Sequence, residues 1–179
     1  IVTVSKSTSD AVVKEFDVDN DRLSVITPAP RTNEDLPSRR KLLPLGIHQP
    51  YILFVGTVEP RKNLIRLLTA YSQLSDSVKE QAMLVIAGGK GWGDLNINNT
   101  IADLGLEKYV RVLGYVDDST LTTLYANAFF LAMPSLYEGF GLPLVEAMVH
   151  GTPVLTSNNS SMPEVAGNAG LLVDPLDIQ

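Results

Sequence analysis

Glu146 follows Glu138 by eight residues, and between them lies Gly139-Phe140-Gly141-Leu142-Pro143. The two glycines let backbone approach a ligand with no side chain in the way. Pro143 suits the first turn of a helix, where a missing N–H costs nothing. Leu144, Val145, Met148 and Val149 then recur at helical spacing. Phe129 to Met133, ahead of the glycines, reads as a buried strand; Gly151 ends the helix and Pro153-Val154-Leu155 begins another strand. A strand, a glycine turn and a helix N-terminus make an anion site from exposed amides and the helix dipole. Glu138 belongs at the strand end beside the anion, and Glu146, one turn into the helix, is better placed for a hydroxyl. Such a site suits a ligand carrying both phosphate and sugar hydroxyls.

A second loop, Gly56-Thr57-Val58-Glu59-Pro60-Arg61-Lys62-Asn63, follows the apolar run Tyr51 to Val55. Arg61 can fork onto two phosphate oxygens and Lys62 adds a point charge. Read alone, the loop is equally a solvated basic turn; beside the acidic anion site the binding reading gains. Asn63 is expected to cap the next helix. Gly114-Tyr115-Val116 ends a strand at the same edge and could flank a base. Gly88-Gly89-Lys90-Gly91 lacks the Walker spacing, and its glycines serve either a ligand or a plain strand-to-helix turn.

Other motifs resolve to structural roles. Asp117-Asp118 before Ser119-Thr120-Leu121 reads as a helix cap rather than a metal pair, with Asp118 or Ser119 as the capping residue. Asp17-Val18-Asp19-Asn20-Asp21 starts like a calcium loop, but Arg22 and Pro28 stand where glycine and the closing Glu belong. His48 and His150 are too far apart in sequence to suggest a metal pair, and His150 suits a helix C-terminus. Ser135 is not in a Gly-x-Ser-x-Gly elbow.

These residues need a scaffold, and the chain supplies one. At 179 residues, 45% hydrophobic and 19% charged, it has enough apolar content for a sizeable core. A net charge of −6 argues against nucleic acid as partner. No cysteine is present, which removes disulfides and thiolate metal sites and fits the cytoplasm. No apolar run reaches the roughly 20 residues of a membrane helix, and no signal peptide is legible at the start. The first residue is Ile rather than Met, as expected of a fragment or processed product.

From Tyr51 onward, strands (51–55, 83–87, 110–113, 129–133, 154–156, 170–173) alternate with helical stretches at 63–74, around 101–104, 118–127, 143–150 and 162–165. This rhythm predicts an α/β fold, a Rossmann-like doubly wound parallel sheet with ligands at the carboxyl ends of its strands. Residues 1–27 read as a separate βαβ piece, with strands at 1–4 and 23–26 and a helix capped by Ser5 or Ser7. Residues 28–50 hold five prolines and a basic Arg39-Arg40-Lys41 cluster. They read as a linker with a short helix near 37–43 and a solvated basic face.

Glu138-Gly-Phe-Gly-Leu-Pro-Leu-Val-Glu146 resembles the E-x7-E motif of the retaining glycosyltransferases of family 4, the glycosyl transferases group 1. The resemblance extends to Val55-Gly56, Glu59-Pro60-Arg61-Lys62-Asn63, Gly151-Thr152-Pro153-Val154, Pro163-Glu164-Val165 and Ala169 to Val173. It implies the C-terminal half of a glycosyltransferase B fold: 51–179 the nucleotide-sugar-binding domain, 28–50 the hinge, 1–27 a remnant of the acceptor-binding N-terminal domain.

The resemblance also implies roles. Glu146 would hold ribose hydroxyls, Glu138 would lie near the donor sugar, and Lys62 and Arg61 would hold the diphosphate. Gly139, Phe140, Gly141 and Leu142 would offer backbone to sugar and phosphate; Gly56, Thr57, Tyr115 and Val116 would complete the donor site. Many members carry Arg where Thr57 stands, and here Arg61 would substitute for it beside Lys62. The implied activity is hexosyl transfer, GDP-mannose favoured and UDP-sugars open, to a glycan or lipid-linked acceptor in polysaccharide biosynthesis. It implies no metal or other cofactor, and a cytoplasmic location with peripheral contact to the inner membrane through the N-terminal domain. Without that domain the stretch is expected to be inactive. A nucleotide-sugar binder without activity, or a UDP-sugar epimerase-like enzyme, are the alternatives.

Overall fold

The structure, a computed structural model, describes residues 1–30, 37–93 and 95–179. β1 (Val2–Thr3), α1 (Lys6–Phe16) and β2 (Ser24–Val25) form the first unit, its two short strands paired in parallel. The strands are two residues each rather than the expected four. Ser5 caps α1 by accepting from the Thr8 amide. The Asp17–Asp21 stretch is a left-handed helix end at Asp17 followed by a 3-10 turn, Asn20–Arg22. The expected short helix is a 3-10 helix, Arg39–Leu45, with Arg39, Arg40 and Lys41 exposed and Leu42 buried; the rest of that linker, 31–36, lies outside the described residues.

The second unit runs β3 (Tyr51–Val55), α2 (Leu64–Ser72), α3 (Asp76–Gln81), β4 (Met83–Ala87), α4 (Ile97–Asp103), β5 (Val110–Gly114), α5 (Asp118–Asn127), β6 (Phe130–Met133), α6 (Leu142–Val149), β7 (Val154–Ser157), α7 (Met162–Ala166) and β8 (Gly170–Val173). The short helix α3 was not anticipated: its polar sequence carries no apolar stripe. Asp117, one residue before the expected cap, closes the start of α5, its carboxylate accepting from both Thr120 N and Oγ1. Phe129 stays outside β6 and is 65% exposed.

All six strands are parallel, in the order β5-β4-β3-β6-β7-β8. Both faces of the sheet are covered. Leu53, Val85, Leu131 and Met133 point to one side, against Leu124, Leu144 and Met162. Phe54, Leu84, Ile86 and Ala132 point to the other, against Leu64, Leu68 and Ile101. Chain order reverses between β3 and β6, so the loops after these two strands diverge around one crevice at their carboxyl ends. Those loops are 56–63 and 134–141.

Candidate functional site

The crevice brings Arg61, Lys62 and Glu138 into direct contact. Glu138 Oε1 accepts from Lys62 Nζ at 2.6 Å and from Ser135 Oγ at 2.9 Å, while Oε2 accepts from an Arg61 nitrogen at 2.6 Å. Glu59 completes the cluster, 2.7 Å from the other end of the Arg61 guanidinium. Lys62 and Glu138 are buried; the Arg61 side chain is 39% exposed and forms the solvent edge. Burial alone would lower the Arg61 pKa, but hydrogen bonds and charge from Glu138 and Glu59 outweigh it and hold the guanidinium firmly protonated.

The loops are also tied by backbone. The Leu136 amide donates to the Arg61 carbonyl at 2.7 Å, and Arg61 donates to the Tyr137 carbonyl. Asn63 begins α2 but makes no cap: its left-handed backbone turns the side chain inward. There Nδ2 bridges the carbonyls of Pro134 and Pro175, and Oδ1 accepts from Arg66.

Side chains from the end of β7 and the loop after it hold the Glu138 loop from the other flank. Ser157 Oγ donates to the Ser135 carbonyl, Asn159 Nδ2 to Leu136, and Ser161 Oγ to Glu138 and Phe140. The Glu138 amide in turn donates to Ser160 Oγ. No motif flagged these serines, because their partners are backbone groups supplied by folding.

At the start of α6, the amides of Gly139, Phe140, Gly141 and Leu142 have no hydrogen-bond partner among the described residues. Gly141 turns the chain into the helix at φ +104°, where an added Cβ would sit 2.7 Å from Met162 Cε. Four free donors at a helix start beside two cations form a cradle for an anion. Glu146, half-buried in α6, accepts from the buried Tyr125 hydroxyl at 2.8 Å rather than touching the Lys62 cluster. Burial, reinforced by the Glu146 carboxylate, pushes the Tyr125 pKa up, so the phenol remains a donor. His150 caps the end of α6 and stacks on Tyr125, with ring centroids 6.1 Å apart.

Of the remaining sequence-derived candidates, the Lys62 stem lies across Gly56, and Thr57 donates to Glu59. Val116 packs on the core, whereas Tyr115 stands 83% exposed beyond β5. Gly88 answers an internal need. A Cβ there would fall 1.9 Å from the Gly56 carbonyl, so the glycine admits the neighbouring loop. Its loop and 56–58 continue to pair beyond their strands, through Val58 N to Gly89 O and Gly91 N to Val58 O.

A parallel sheet in this order, with its crevice between a basic and an acidic loop, is the Rossmann-like C-terminal half of a glycosyltransferase B fold. Residues 40–179 match the family described as glycosyl transferases group 1, and the chain belongs to that family. It is 40% identical over 184 residues to O-antigen chain mannosyltransferase B of Escherichia coli, covering 99% of this chain and 48% of that protein. It is 32% identical over 177 residues to O-antigen chain mannosyltransferase RfbU of Salmonella typhimurium strain LT2, covering 99% and 47%. The chain thus spans about half the length of these relatives. Among solved structures, Anabaena Alr3699/HepE in complex with UDP and glucose superposes with a TM-score of 0.86 at 23% identity, covering 99% of this chain and 50% of that one.

Proposed function

We propose that this chain is the donor-binding half of a retaining hexosyltransferase of family 4. It would hold a nucleotide-diphosphate sugar, GDP-mannose by preference, for transfer to a glycan or lipid-linked acceptor. The observation that carries this reading is the meeting of Lys62, Arg61 and Glu138 beside the unpartnered amides of 139–142 at the sheet's switch point. The O-antigen mannosyltransferase relatives favour mannose; the UDP complex of a structural neighbour keeps uridine donors in view. Residues 51–179 would be the nucleotide-sugar domain, 28–50 the hinge, and 1–27 part of the acceptor side. Acceptor recognition then falls to the preceding half of the full-length protein, which would also supply any contact with the inner membrane from the cytoplasm. No helix among the described residues is long and apolar enough to cross a membrane.

In this reading the diphosphate lies on the amides of 139–142 and takes donors from Arg61 and Lys62. The ammonium has three N–H groups and only Glu138 as partner among the described residues, so donors remain for a ligand. The bond from the anomeric carbon to the diphosphate oxygen breaks and its electron pair leaves with the diphosphate. The acceptor oxygen bonds to the anomeric carbon from the same face and passes its proton to the departing phosphate. Charge growing on that phosphate strengthens its bonds to Lys62, Arg61 and the amides, so these groups favour the transition state over the ground state. Glu138, anchored by Lys62 and Ser135, would orient the sugar and offset its oxocarbenium charge. Glu146, oriented by Tyr125, would take the ribose hydroxyls, and Tyr115 and Val116 would flank the base. Gly56 and Thr57 would line the opposite wall. The protein's own cations would do the work of a metal.

Calorimetry of the chain with GDP, UDP and ADP, followed by a transfer assay of the full-length protein with GDP-mannose, tests the reading. Binding of GDP that vanishes in Lys62→Ala is expected; a chain that binds none of the three nucleotides would overturn it.

A further inference from the structure

The first turn of α1 reaches across to the Glu138 loop and grips one peptide group. Ser5 Oγ lies 2.7 Å and Thr8 Oγ1 3.0 Å from the Gly139 carbonyl oxygen. The two hydroxyl oxygens also lie 2.9 Å from each other. With one proton each, either both donate to the two lone pairs of the carbonyl or one donates to it while accepting from the other, and in both arrangements the pair holds that carbonyl. Ser5 Oγ meanwhile accepts from the Thr8 amide as the helix cap. The helix is itself fastened: the Glu164 carboxylate, in the first turn of α7, accepts from the amides of Lys6 and Ser7 at 2.9 and 3.2 Å. Opposite charge at a helix start reinforces this link.

A trans peptide is rigid and planar, with C=O and N–H pointing in opposite directions. Holding the Gly139 carbonyl toward α1 therefore turns the Phe140 amide away from α1. That amide is one of the four unpartnered donors of the cradle. On the other flank Ser161 Oγ fixes the carbonyls of Glu138 and Phe140, leaving the Gly139–Phe140 peptide as the unit governed from α1. Gly139 itself has no need to be glycine for internal space. A Cβ would meet Val4 Cγ2 at 3.7 Å and Thr8 Oγ1 at 4.0 Å, ordinary contacts, and its φ lies outside the left-handed region.

We propose that Ser5 and Thr8 are positioning residues for the donor diphosphate: their hydroxyls set the Gly139–Phe140 peptide so that the Phe140 amide faces the anion. The inference rests on the donor-binding reading above. It assigns to the first segment of the chain a part in phosphate recognition made through another residue's backbone, without touching the ligand. Residues far apart in sequence thereby couple the seating of α1 to the affinity of the cradle.

The test is calorimetry of the whole chain with GDP and UDP, alongside circular dichroism and thermal unfolding. Thr8→Val removes one donor and leaves the Ser5 cap in place. Ser5→Asp keeps a capping acceptor but cannot donate to the Gly139 carbonyl. Each single variant is expected to weaken nucleoside diphosphate binding several-fold and the double variant about tenfold, the loss of roughly one hydrogen bond. Thr8→Ser restores the hydroxyl and should restore affinity. Affinity for the nucleoside without phosphates should stay unchanged throughout, which a merely structural role would not distinguish. If the wild type binds and Lys62→Ala weakens it while the Ser5 and Thr8 variants bind normally, this inference alone is wrong. Variants with lowered melting temperature but unchanged affinity overturn it equally. A wild type that binds neither nucleotide overturns the donor-binding reading and this inference with it.

Discussion

The Lys62 ammonium lies 2.6 Å from the Glu138 carboxylate, with both side chains less than a tenth exposed. Two loops that begin on different strands are thus closed onto each other by a buried ion pair. With Glu59 and Arg61 added, two positive and two negative groups balance within the cluster. The consequence for stability is asymmetric. Glu138 keeps Arg61 and Ser135 if Lys62 is removed, whereas Lys62 loses its partner if Glu138 is removed. Glu138→Ala should therefore cost about 3 kcal/mol of folding stability, and Lys62→Ala distinctly less. Urea unfolding of both variants checks the order; equal losses would show that the pair is not what closes the loops.

Glu146 is oriented by a phenol that stays protonated, so its carboxylate is presented in one direction. Glu146→Ala should weaken nucleoside diphosphate binding about tenfold if it takes two ribose hydroxyls. The corresponding 2′,3′-dideoxy nucleotide should then bind wild type and variant alike. Wild type that prefers the ribose form no more than the variant does would sink the assignment.

Asn63 uses all of its polar atoms inside the protein: Nδ2 serves two carbonyls and Oδ1 accepts from Arg66. Asn63→Ala leaves both carbonyls without this donor, at a cost of about 2 kcal/mol. The left-handed backbone adds to the cost, since Ala adopts it less readily than Asn. A glycine replacement relieves the backbone component only, so Asn63→Gly should recover part of the loss. Full recovery would mean that the two hydrogen bonds contribute nothing.

Burial raises the phenol pKa of Tyr51 and Tyr125, and that of Tyr71 to about 12. From the ordinary value of 10.0, the unfolded chain loses these protons first. Below that pH neither state ionises them, and their contribution is whole. Above it the native state binds more protons than the unfolded state, so stability falls as pH rises. The Tyr71 share should fall between about pH 10 and 12 and then level, while Tyr51 and Tyr125 continue to destabilise. Denaturant midpoints measured from pH 8 to 11 should be flat and then decline. Tyr71→Phe should soften the decline, and an unchanged slope in that variant would contradict the burial argument.

Much of this protein was legible in the residue order because the central strands of its parallel sheet are buried on both faces. Such strands read as continuous apolar runs, and β3 and β4 begin and end where those runs do. Local rules also placed the glycine turn before α6, the proline in its first turn, and the Ser5 cap. The motif residues Arg61, Lys62 and Glu138 could be named as neighbours because a reversal of strand order gathers loops at one edge. What the order of residues could not supply were roles set by partners distant along the chain. Asn63 reads locally as a cap, and only the folded carbonyls of Pro134 and Pro175 draw its side chain inward. Gly88 reads as a ligand loop or plain turn, and only the packed Gly56 backbone shows what it clears space for. The grips of Ser161, Ser5 and Thr8 on the acidic loop depend on long-range contacts between side chains and backbone. A hydroxyl carries no record of which carbonyl it will meet; tertiary packing makes that choice.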